Sequence, residues 1–180
     1  MPRYFAFLRA INVGGHNVRM ETLRGLFESL SFANVETFIA SGNVIFDSNS
    51  GNSGALKKKI ESQLHTSLGY EVATFLRTEK ELKAISRYTP FSRPDVEAAR
   101  TLVVGFVDEP IKDDVIKVLM AWKSDFDNFH VHQRELYWLS RVGQGESKFS
   151  NAVFERILKG KATFRGSNTI AKMASKFLSP

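Results

Sequence analysis

Cysteine is absent from the 180 residues. That excludes disulfide staples, thiolate metal sites and thiol nucleophiles. No apolar run approaches the roughly 20 residues of a membrane-spanning helix, so no membrane partner is expected. The opening Met1-Pro2-Arg3-Tyr4 reads directly into a strand and shows no signal-peptide pattern, and a soluble cytoplasmic protein is expected. Several familiar signatures are also missing. There is no G-x-x-x-x-G-K-[ST] phosphate loop and no G-x-G-x-x-G dinucleotide fingerprint. There is no G-x-S-x-G nucleophile elbow. The aromatic RNA-binding strand motif is missing too: Ser41-Gly42-Asn43-Val44-Ile45-Phe46 lacks its leading cation and aromatic spacing.

What remains is ordinary globular composition, 43% hydrophobic and 24% charged. The net charge is +6, unevenly spread. Residues 141–180 carry eight Lys/Arg against Glu146 and Glu155, while residues 1–140 balance at 17 against 17. A basic C-terminal segment on a neutral body suits a negatively charged partner, or a solvated helix face.

The order of elements is informative. Residues 4–10 are apolar on both alternations, as in a central strand. Leu23, Leu26, Phe27 and Leu30 form one helical stripe. Residues 35–40 and 43–47 read as a hairpin turning at Ser41-Gly42. Leu56, Ile60 and Leu64 mark a second helix, and residues 71–76 a fourth strand. This βαββαβ order is that of a ferredoxin-like unit. After a helix over 79–87 and a loop with Pro90 and Pro94, the order approximately repeats. Strand 101–107, a helix over 111–122, a hairpin of 129–132 and 136–140, and a helix over 149–158 follow. In place of a closing strand stand residues 162–166, and a last helix carries Ile170, Met173, Ala174 and Phe177. The expected fold is therefore α+β: two ferredoxin-like, βαββαβ-type halves, the second with an extra C-terminal helix. The expected division is 1–77, a connecting 78–98, and 99–180, with one compact domain as the other form. The apolar strands require that the halves cover one another or that a second subunit covers them.

In such a topology the end of the first strand, the 41–43 turn and the start of the first helix meet at one sheet edge. Arg9, Asn12, Gly14, Gly15, Asn17, Ser41, Gly42 and Asn43 would then gather there. Glycine permits left-handed backbone. A helix N-terminus offers free N–H groups, and an arginine fork suits phosphate or carboxylate. Arg165, Thr169 and Lys172 would support the same anion from the last helix.

The stretch L-R-A-I-N-V-G-G-H-N-V-R-M, followed by V-E-T-F-I-A-S-G-N-V-I-F, resembles domain-of-unknown-function family 1697, a group of uncharacterised, mainly bacterial proteins. The likeness covers nearly the whole chain and is strongest over residues 4–47. The family's C-terminal signature, T-x-R-N-x-x-T-x-x-K-[LM], is matched by Thr163, Arg165, Thr169, Lys172 and Met173, with Gly166 in place of asparagine. The resemblance implies the same α+β fold and no particular activity.

Other side chains suggest less. His130 and His132 share a strand face, but no third ligand is placed, so no metal or other cofactor is assigned. Three functional readings compete. The leading one is a protein binding a phosphorylated small molecule or nucleic acid at the 11–17 and 41–43 loops. The second is an enzyme on a nucleotide or phosphorylated metabolite, using His16 or Ser41. The third is a structural or homodimerising module whose apolar sheet face, with Phe5 and Phe7, is the interface.

Overall fold

A computed structural model describes residues 1–39 and 42–180. Among these residues there are two four-stranded antiparallel sheets and seven helices, an α+β fold. The chain divides into two compact units, Met1–Ile85 with Leu178–Pro180, and Ser86–Phe177.

The first unit contains β1 (Arg3–Leu8), α1 (Met20–Glu28), β2 (Ala33–Thr37), β3 (Asn43–Asp47), α2 (Ser53–Leu68), β4 (Thr74–Thr78) and most of α3 (Glu79–Arg87). Its strands lie in the order β2-β3-β1-β4. Tyr4 pairs with Phe46 across β1 and β3, and the two rings stack at 5.6 Å. Strand alternation then sends Tyr4, Ala6, Leu8, Val44 and Phe46 into one core with Leu23, Phe27, Leu56, Ile60 and Leu64 from the helices. Each large side chain so buried contributes about 1.5–3 kcal/mol. Asn52 caps α2 by accepting from the Ala55 amide, and Gly69 ends it in left-handed backbone. Phe5 and Phe7, on the other alternation, are buried as well.

The second unit carries α4 (Arg93–Ala98), β5 (Thr101–Phe106), α5 (Asp113–Met120), β6 (Asp127–His132), β7 (Glu135–Ser140), α6 (Asn151–Leu158), β8 (Thr163–Gly166) and α7 (Ser167–Phe177). The strand order β6-β7-β5-β8 matches that of the first sheet element for element. Trp138 anchors the core. Its indole N–H donates to Asp127 at 2.9 Å, and Ser147 donates to the same carboxylate at 2.8 Å. The buried polar group is thus paired, as burial requires.

Three expectations need correction. Residues 163–166 do form a closing strand, β8, paired with β5 from Val103↔Gly166 to Phe106↔Thr163. Its Thr163 and Arg165 are buried polar residues, so no apolar alternation announces it. The helix expected at the C-terminal end is α7, and α3 follows β4 in the first unit just as α7 follows β8. The loop holding Pro94 contains helix α4, because proline fits a first helical turn and Ser92 caps it through the Asp95 amide. The hairpin and fourth-strand spans shift to Ala33–Thr37 and Thr74–Thr78. Ala40 and Ser41 lie outside the described residues.

Candidate functional site

The polar edge of the first unit is built where β1 ends. The Leu8 amide donates to Gly42 O at 2.8 Å, and the Arg9 amide to Ala73 O at 2.9 Å. The chain then leaves the sheet through Ala10, whose φ is +53°. Asn12 closes the neck of the loop: its side-chain oxygen accepts from the Val18 amide at 2.7 Å. At the tip, Val13-Gly14-Gly15-His16 form a turn closed by the His16 amide donating to Val13 O at 3.3 Å. Gly14 and Gly15 have φ of +67° and +85°, the values of a type I′ turn, which disfavours side chains at both central positions. A Cβ at either would meet nothing within 4 Å, so the turn shape and not crowding calls for glycine.

Tyr70, from the turn between α2 and β4, holds this loop from beneath. Its hydroxyl donates to Ile11 O at 3.1 Å, and its ring stacks on His16 at 3.7 Å, 20° from parallel. Partial burial pushes the Tyr70 phenol above its ordinary value, which keeps it a neutral donor. Gly42 is needed for a different reason. Its φ is +80°, and a Cβ there would stand 2.9 Å from Ile11 Cγ2. Asn43 is fully buried and turns inward, donating to Phe38 O at 2.8 Å.

The site residues therefore separate. Asn12, Gly42 and Asn43 shape the edge. Gly14, Gly15, His16 and Asn17 are exposed on it, and Arg9 is half-buried at its base. The glycines do not open directly into α1, which begins at Met20 after Asn17-Val18-Arg19. Ser41 lies outside the described residues. Arg165, Thr169 and Lys172 belong to the second unit, on β8 and α7. Arg165 is buried, and its guanidinium donates to Thr163 Oγ1 at 2.8 Å and Phe164 O at 2.9 Å. That burial pulls its pKa down to about 10. Lys172 is exposed, and Thr169 is partly so.

The family described as "Protein of unknown function (DUF1697)" matches residues 1–137, which includes the whole glycine loop. The chain belongs to the DUF1697 family. The match stops short of the 163–173 segment that carries the second resemblance. A solved structure of a conserved bacterial protein from Streptococcus pneumoniae is similar in fold, at a TM-score of 0.72 and 21% identity over 97% of each chain. A search of curated proteins gives no match.

Reading the sequence of this DUF1697 protein missed two tyrosines. Tyr70 is one; its only local signal is its place directly after the helix-ending Gly69. Tyr88 is the other. Its hydroxyl lies 2.7 Å from His130 Nε2, and its ring stacks on His132 at 4.3 Å. Both histidines are thus engaged with one phenol. Burial, then His132 and Lys123, hold His130 below the ordinary histidine range. Among the described residues of the DUF1697 chain, no three His, Cys, Asp or Glu side chains cluster as metal ligands do.

Proposed function

We propose that the protein binds a phosphorylated small molecule or nucleic acid at the glycine loop, and that each unit is a ferredoxin-like βαββαβ fold serving as its scaffold. One observation carries the binding reading. Among the described residues, the amides of Gly14 and Gly15 make no hydrogen bond, yet they sit on a loop fastened by Asn12, Tyr70 and its own turn. A rigid loop that presents unpaired donors loses little entropy on binding an anion. His16 and Asn17 flank those donors, and Arg9 stands at the base. The sheet orders β2-β3-β1-β4 and β6-β7-β5-β8, antiparallel throughout, support the ferredoxin-like reading of the scaffold.

Nucleic acid stays in the reading because of the C-terminal segment. Lys148, Arg156, Lys159, Lys161 and Lys172 are all exposed and without an ion pair among the described residues.

The test is a thermal-shift screen of nucleotides, sugar phosphates and short oligonucleotides. At least one class is expected to raise Tm. Arg9→Ala should weaken that ligand by more than its change in the unliganded Tm accounts for. A large loss of Tm with ligand binding untouched would make Arg9 structural and overturn the reading. An oligonucleotide binder should lose affinity with a log–log salt slope of about 0.9 per neutralised phosphate on duplex DNA. A small-molecule pocket should respond far less.

A further inference from the structure

The second unit holds a groove of about 460 Å³ between α5 and the turn that follows α6, a size typical of small-molecule sites. Its floor is apolar: Ile111 is buried, and Val115, Ile157 and Leu158 are half-buried against the core. Its banks carry opposite charge. Lys159 and Lys161 stand on the α6–β8 turn. Asp108, Glu109 and Asp114 stand on the β5–α5 connection and the first turn of α5, with Lys112 among them. Neither Lys159 nor Lys161 has an ion pair among the described residues.

The first unit shows what this corner holds when it is closed. The α2–β4 turn there corresponds to the α6–β8 turn here. Gly69 takes the left-handed position that ends α2, at φ +83°, and Tyr70 follows, carrying its ring onto the β1–α1 loop. In the second unit the order is reversed. Lys159 takes the left-handed position, at φ +55°, and Gly160 stands where Tyr70 would. A lysine in that conformation is strained relative to glycine. Gly160 itself has no need to be glycine. Its φ lies outside the left-handed range, and a Cβ would meet only Leu158, at 3.8 Å, an ordinary contact. The effect of Gly160 is to omit a side chain where the first unit places an aromatic ring.

We propose that this groove binds a small aromatic zwitterion, the class of a free aromatic amino acid. The ring lies on the Ile111–Leu158 floor, in the place that Tyr70 fills in the other unit. The anionic group faces Lys159 and Lys161, and the ammonium group faces the acidic bank.

The test is amide chemical-shift titration of the full chain with phenylalanine, alongside phenol, tyramine and phenyl phosphate. Phenylalanine should give saturable shifts confined to residues 107–115 and 157–161. The three analogues, each lacking one or both charges, should bind roughly tenfold or more weakly, the loss of about one charge contact. Gly160→Tyr, which closes the corner from within, should abolish the shifts while keeping a native spectrum. Val115→Trp, which fills the groove from the opposite wall, should do the same if Gly160→Tyr fails to fold. The proposal is overturned if phenylalanine gives no saturable shifts, if any analogue binds as tightly, or if phenylalanine still binds a folded groove-filling variant.

Discussion

The two units share an element order and a sheet order, yet they finish the same corner in opposite ways. In the first, the strand-to-helix connection runs long, over residues 9–19, and Tyr70 props it from below. In the second, the connection spans only residues 107–112, no aromatic ring among the described residues stands in the place of Tyr70, and a groove stays open. One architecture thus supports a loop backed by an aromatic ring in one place and a recess in the other. The difference lies in a few loop residues and not in the strands, which is where binding features reside on a scaffold fold.

Removing the prop should test the comparison most severely. Tyr70→Ala deletes a half-buried ring, its stack on His16 and its bond to Ile11 O. Loss of a partly buried aromatic and one hydrogen bond should cost about 2 kcal/mol. Urea denaturation should show the lower midpoint with an unchanged slope. Tyr70→Phe should recover most of the loss, since the ring remains. If Tyr70→Ala leaves the midpoint in place, the loop is held by Asn12 and its own turn alone, and the two corners differ less than their geometry implies.

A smaller effect of opposite sign is expected at the other corner. Lys159→Gly places glycine at the left-handed end of α6, as Gly69 does for α2. Relief of that conformation should stabilise the chain by about 0.5–1 kcal/mol. The measurement is again the urea midpoint, which should rise. A fall would mean that the Lys159 side chain makes contributions that outweigh its backbone strain.

Much of the scaffold is legible in the sequence because periodicity reports burial directly. Leu23 and Phe27 are buried, with Leu26 and Leu30 packed beside them, as their spacing demands. β8 is not legible, since Thr163 and Arg165 are buried polar residues that a pattern of apolar residues cannot mark. The glycine loop stands out by composition, but composition does not say which way an asparagine points. Asn43 turns inward to Phe38 O, and Asn12 is spent on the Val18 amide. Tyr70 is harder still. It is 59 residues from Ile11, the partner that gives it a role, and only the folded chain brings them together.

Both units also fasten a segment with a tyrosine and histidine, and here the smallest predicted effect separates them. In the first, the Tyr70 hydroxyl bonds a backbone carbonyl, and the imidazole of His16 only stacks on the ring. In the second, the Tyr88 hydroxyl bonds the imidazole of His130 itself. His130 is held below the ordinary histidine range by burial, and then by His132 and Lys123. Its neutral form is therefore the one the fold favours. Below about pH 6.5, the ordinary value for histidine, the unfolded chain binds the proton more readily than the folded one. This contribution to stability is full above that pH and declines as the pH falls toward the lowered folded value. Unfolding midpoints measured from pH 7.5 down to 5.5 should drop modestly in the wild type. His130→Gln, which keeps a hydrogen-bonding group but cannot titrate, should flatten that drop. Equal profiles for the wild type and His130→Gln would show that the second unit's tyrosine–histidine contact is as insensitive to acid as the bond from Tyr70 to a carbonyl.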